Sequence, residues 1–258
     1  MNETATGRAP WVNAVVLAGR RNEGVFRAVS EVTNEALLPI AGRPMLSYVL
    51  DAVCGAQQVD KVVVVGTPEI EPVLPKGVAL VEAGDELIAN VERGIASLEQ
   101  TAPVAIVTSD IPLITAAIVD GFVAECGRRP ADLHYPAIAK ELVEAAFPGV
   151  KRTYAKLREG TYTGGNIFLV HPRIVPATID KLKSFVDARK SPAKMAGLLG
   201  PGFVVKMAMG VLSAYEVEVK VGRMFGIRGA VVFTEYPEIG VDVDKLSDLE
   251  LVGRVLAR

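Results

Sequence analysis

With 258 residues and 27.4 kDa, half of them apolar and 22% charged, the chain suits one globular domain with an elaboration and argues against a disordered or membrane-embedded protein. Its 28 Lys and Arg against 30 Asp and Glu leave a net charge of −2 and a pI near 5.8, so nothing draws the whole chain to nucleic acid or another polyanion. Two cysteines, Cys54 and Cys126, and two histidines, His134 and His171, supply neither a disulfide framework nor a zinc-type centre; any metal is expected to be a hard cation on carboxylates, in a reducing cytosol.

Residues 1–11 are polar and mixed in charge, without the apolar core of a secretory leader, and read as a flexible tail; no later run reaches the length of a membrane span. Residues 12–258 then read as one domain. Strands are expected over Asn13–Ala18, Lys61–Gly66, Val78–Glu82 and Pro103–Thr108. Helices are expected over Pro44–Cys54, Asp85–Leu98 and Thr115–Cys126. Runs such as KVVVVG are apolar on consecutive residues, as required where helices cover both faces of a parallel sheet.

From Leu133 the rhythm changes. LHYPAI reads as a strand, Lys140–Phe147 as a short helix and Asn166–Val170 as a strand, followed by a mainly helical insertion over 172–226. GAVVFTE restores a strand, and Lys245–Ala257 closes the chain as a helix. The fold class expected is a three-layer α/β/α sandwich.

The first strand runs into Leu17-Ala18-Gly19-Arg20-Arg21-Asn22-Glu23-Gly24. A glycine-bearing loop at a strand's carboxyl end lets backbone N–H groups approach phosphate, and Arg20, Arg21 and Arg27 offer countercharge. An ordinary turn with exposed arginines is the competing reading. Neither a dinucleotide fingerprint nor a P-loop motif is present.

Asp110, in TSDIPLIT, directly follows a buried apolar strand, where a carboxylate is costly unless paired, solvated or cation-bound. Capping a helix is its alternative role. Asp242 and Asp244 alternate with valines ahead of a helix start marked by Ser247, Asp248 and Glu250; one is expected to face a metal and the other to solvate the turn. In Thr163-Gly164-Gly165-Asn166 the glycines permit close backbone contact. Lys151, Arg152, Lys156 and Arg158 read most simply as a solvated basic face, with an acceptor phosphate as the other possibility. Asp85 is a good N-cap for the helix that follows it.

Taken together, the LAG start, LLPIAGRPMLSYVL, TSDIPLIT, TGGN and GVDVDKLSDLE resemble nucleotidyltransferases of the GT-A-like fold, particularly those related to molybdenum-cofactor guanylyltransferases, from about Asn13 to Leu256. The resemblance implies a mainly parallel central sheet and transfer of a nucleoside monophosphate from a nucleoside triphosphate to a phosphorylated small-molecule acceptor, with pyrophosphate release and Mg2+. It implies nucleotide contacts from Leu17, Ala18, Gly19, Arg21, Gly84 and Asn90, acceptor contacts from Gly164, Gly165 and Asn166, and metal ligation by Asp110 with Asp242, or Asp244 in its place.

The chain also departs from that pattern. Relatives carry a second glycine where Arg20 stands and a phosphate-neutralising lysine where Glu35 stands. A glutamate beside a triphosphate repels it, so Arg20, Arg21 or Arg27 must compensate, or Glu35 must hold a further cation. Glu35, Arg20 and Arg27 are therefore the candidate catalytic residues. The alternatives are a nucleotide-binding sensor without turnover, and a glycosyltransferase of the same fold, which would more typically carry Asp-x-Asp at the Asp110 position.

Overall fold

The computed structural model describes residues 11–188 and 191–257. The chain begins with β1 (Val12–Ala18), the short hairpin β2 (Pro39–Ile40) and β3 (Arg43–Pro44), and helix α1 (Met45–Gly55). It continues through β4 (Val59–Gly66), β5 (Ala79–Glu82), α2 (Leu87–Ala96), β6 (Val104–Thr108) and α3 (Ala116–Gly127). Then come β7 (Leu133–Ala139), α4 (Lys140–Ala146), β8 (Ala155–Leu157), β9 (Gly160–Gly164) and β10 (Ile167–Val170). Four helices follow, α5 (Val175–Ala188), α6 (Pro192–Leu199), α7 (Pro201–Ala208) and α8 (Ala214–Phe225), before β11 (Gly229–Thr234) and α9 (Leu246–Leu256).

The large sheet has the order β5-β4-β1-β6-β10-β7-β9-β8, with β11 paired to the free side of β7. Only β9 and β10 run against the other strands, so the carboxyl ends of β1, β4, β5, β6, β7 and β11 share one edge. Val16, Leu46, Leu50, Phe122, Ile138 and Val252 fill the core between one face and α1, α3 and α9. Val15, Val65, Ile95 and Ile106 form the core on the other face, under α2. Each buried aliphatic or aromatic side chain contributes about 2 kcal/mol through removal from water. Gly94 lets α2 lie flush on the sheet, since a Cβ there would sit 2.5 Å from a Val15 methyl.

The expected three-layer arrangement and the helical stretch after residue 172 are present, but several local readings need correction. The helix expected from Asp85 begins at Leu87, and its N-cap is Glu86, without a side-chain bond; Asp85 does not cap it. The hairpin β8–β9 was not expected. Of the expected tail, only Trp11 lies among the described residues, and it is half-buried, with its amide bonded to the Gln58 carbonyl. No helix among the described residues is long and apolar enough to cross a membrane.

Candidate active site

The strand edge that collects the carboxyl ends also collects the acids. Asp110 follows β6, and Val243 N–H donates to its carbonyl at 2.8 Å, drawing the segment before α9 alongside. Val241 and Val243 turn inward to the core, which directs the alternate residues Asp242 and Asp244 toward Asp110. Both aspartates therefore meet Asp110, where only one was expected. One oxygen from each of the three lies within 4.8 Å of the others. Asp248, buried in the first turn of α9, accepts the amides of Asp244 and Lys245 at 3.2 Å each and fixes this segment's path.

At such separations two carboxylates repel by about 3 kcal/mol at an effective dielectric near 20. Burial, and then repulsion from Asp244, hold the Asp110 carboxyl above its ordinary range, against the Thr108 hydroxyl and Arg20, which pull it down. Asp242 is pushed up to about 7, first by burial and then by Asp110 and Asp244, although Arg152 opposes the rise. Three hard oxygen donors in this state fit a divalent cation such as magnesium, whose charge would relieve the repulsion.

Two arginines answer the acids differently. Arg152 is not on a solvated face: its side chain is 9% exposed, with Nη1 2.9 Å from Asp242 Oδ1 and Nη2 donating to the Asp242 carbonyl at 2.6 Å. Arg20, 61% exposed, holds Glu35 through Nε at 3.0 Å and Asp244 through Nη1 at 3.1 Å. Glu35 is buried, and burial foremost, with Asp110 and Asp244, raises its carboxyl against the pull of Arg20. The expected repulsive position is thus an ion pair. Five acids, Asp110, Asp242, Asp244, Glu35 and Asp248, share two guanidinium groups, Asp248 lying 3.9 Å from Arg152.

The glycine loop lies beside this cluster. Ser109 N–H donates to the Leu17 carbonyl, and the Ala18 carbonyl accepts from Asn34, tying β1 to β6 and to the Asn34-Glu35 segment. Gly19 abuts Ala83 and Asn90, where a side chain would clash. Asn90 is engaged internally, exchanging two 2.8 Å bonds with the Gly84 backbone and accepting from Arg93, so it shapes the loop after β5. Arg21 is exposed and its backbone bridges to Asn34. Arg27 donates to the Glu31 carbonyl, with no contact to the acids among the described residues.

On the other flank, the Asn166 carbonyl accepts from Thr108 N–H, and Asn166 N–H donates to the Ile239 carbonyl. Gly165 packs on Ile239 and Gly164 on the Tyr135 hydroxyl, so these glycines serve close packing next to the cluster. By register, Tyr135, Tyr162, Phe168 and Phe233 share the sheet face of Thr108. Tyr135 and Phe233 are about half exposed, with Phe233 4.8 Å from the Tyr162 ring, giving that face an aromatic floor.

Three clustered carboxylates at the carboxyl ends of a mainly parallel sheet, with a glycine loop beside them, define an α/β protein of the nucleotidyltransferase fold, its acids gathered where such sheets place ligands. Residues 14–184 match the MobA-like NTP transferase domain, and the chain belongs to that family. A hypothetical transferase from Thermus thermophilus superposes with a TM-score of 0.84 and 36% identity, covering 93% of this chain and 99% of that one. The 4-diphosphocytidyl-2C-methyl-D-erythritol synthase of Anaerococcus prevotii shares the fold at TM-score 0.60 and 12% identity, over 97% of this chain and all of its own. The bifunctional protein GlmU of Cupriavidus taiwanensis is 32% identical over 121 residues, 45% of this chain but only 26% of its own length.

Proposed function

We propose that the chain is a magnesium-dependent nucleotidyltransferase that moves a nucleoside monophosphate from a nucleoside triphosphate to a phosphorylated small-molecule acceptor, in the cytosol. The observation that carries this reading is the meeting of Asp110, Asp242 and Asp244 at the sheet edge beside the Gly19 loop. The three aspartates would hold the ion, which when bound neutralises phosphate oxygens.

The Leu17–Arg21 segment offers backbone approach to the triphosphate, and the loop shaped by Gly84 and Asn90 stands where the nucleoside would lie. Gly164, Gly165 and Asn166, with the aromatic floor beyond them, form the acceptor side. An acceptor phosphate oxygen attacks the α-phosphorus in line; the bond to the bridging oxygen breaks and pyrophosphate leaves. The chain's part is to align the two reactants and hold their charge. Binding to the native state alone raises Tm, so nucleoside triphosphates screened with magnesium should stabilise the protein, and phosphorylated acceptors should then elicit pyrophosphate. Stabilisation without pyrophosphate would point to a nucleotide sensor, and stabilisation by nucleotide sugars alone to a glycosyltransferase.

A further inference from the structure

The two arginines at the acidic cluster are held in different ways. Arg152 is buried and grips both the carboxylate and the carbonyl of Asp242, so it has no freedom to leave. Arg20 is exposed, and its partner Asp244 is 46% exposed. Its other partner is fixed: Glu35 is buried and donates its N–H to the Arg20 carbonyl at 3.0 Å, so backbone and side chain join the same two residues. Asn34, one residue earlier, donates to the Ala18 carbonyl and to Thr67 Oγ1 at 2.8 Å each, which anchors the segment carrying Glu35.

A guanidinium has five N–H donors in one plane. Glu35 engages the Nε edge, while Nη1 reaches Asp244 Oδ1 on the segment ahead of α9. That oxygen belongs to a residue of the three-carboxylate cluster, so a divalent cation there competes with Arg20 both for the oxygen and by charge.

We infer that Arg20 exchanges partners, pairing with Asp244 until a divalent cation takes the acidic cluster and then turning its Nη groups to the nucleotide phosphates, with Glu35 as the positioning residue that retains it through Nε. This rests on the transferase reading above. Metal and nucleotide are then linked, each tightening the other, because the metal releases a cation for the phosphates. Glu35 contributes by aiming the arginine, and its own charge is neutralised in doing so.

The test is a calorimetric double-mutant cycle on the full chain, using magnesium alone and then each of the four common nucleoside triphosphates in saturating magnesium. Arg20→Ala should bind magnesium alone more tightly, having lost a competing cation, yet bind triphosphate about tenfold more weakly, as expected for loss of a charge-assisted bond. Glu35→Gln should weaken triphosphate by a similar factor, and the double variant should be no weaker than Arg20→Ala. Arg20→Lys should recover only part of the affinity, since an ammonium cannot hold Glu35 and phosphate in one plane.

Unchanged triphosphate affinity in Arg20→Ala, or an undiminished Glu35→Gln effect in the Arg20→Ala background, would overturn the inference. Arg20 is exposed, so its truncation opens no cavity and its result decides even if Glu35→Gln fails to fold. Asp110→Asn separates the two levels. Loss of magnesium-dependent nucleotide binding in that variant, with none in Arg20→Ala, removes only the Arg20 assignment, whereas retention in Asp110→Asn removes the transferase reading itself.

Discussion

Partly or wholly buried carboxylates stand at both edges of the sheet, and they are treated in opposite ways. At the amino end of β7, Asp132 accepts Arg228 N–H at 2.8 Å and Arg173 Nε at 2.9 Å. Burial pushes its carboxyl up, but those donors outweigh burial and hold it below the ordinary carboxylate range. At the carboxyl edge, Asp110 and Asp242 are held above that range by burial and crowding. One edge is a finished fastening. The other crowds more acids than it has cationic partners, the condition in which a bound cation gains most.

The sharpest way to break this contrast is Asp110→Ala. Metal-dependent nucleotide binding should fall by roughly a hundredfold or more while the fold persists, because ligands cost more to lose than the outer groups that orient them. A folded variant with unchanged affinity would place the cation elsewhere. At the opposite edge, Asp132→Ala should act on stability alone. Losing the acceptor of the Arg228 amide and of the half-exposed Arg173 is worth about 2 kcal/mol, which at this chain length lowers Tm by roughly 6 °C in a thermal melt. Nucleotide affinity should not move.

Proton linkage sharpens the comparison further. Asp132 has a depressed folded value, so its stabilisation is complete above the unfolded value of about 3.9 and is lost as pH falls through the folded one. Asp242 has the opposite sign: with a folded value near 7, the native state holds the extra proton, and stability declines as pH rises from about 4 to 7. In calorimetric melts with chelator, metal-free protein should lose about 4 °C between pH 5 and 8 from this source, and magnesium should abolish the loss. A loss that magnesium leaves untouched would separate the titration from the metal. The smallest effect belongs to Lys61, whose pair with Glu99 is exposed; Lys61→Ala should shift Tm by no more than about 1 °C.

The legibility of these features followed their range along the chain. Consecutive apolar residues in β1, β4 and β6 announced buried parallel strands, and Asp110 stood out because it follows one directly. β8 and β9 escaped because Ala155–Leu157 and Gly160–Gly164 show no alternating apolar face and gain their meaning only when β9 pairs with β7 and β8 with β9. The alternation of Val241 and Val243 with Asp242 and Asp244 was visible, but its consequence depended on how deeply the valines bury. Arg152 read as surface because its partner lies 90 residues away. Glu35 read as a repulsive charge for the same reason: a local motif does not reveal that Arg20 folds back onto it.

The segment that delivers Asp242 and Asp244 falls outside the 14–184 stretch by which the family is recognised. A fragment cut at that boundary would keep the glycine loop, Glu35 and Asp110 but discard two of the three clustered aspartates, one of them the partner of Arg152, and the whole of β11. Such a fragment should look like the family by sequence and yet fail as a metal site, its Asp110 left beside an Arg152 without Asp242 and an Arg20 paired with Glu35 alone.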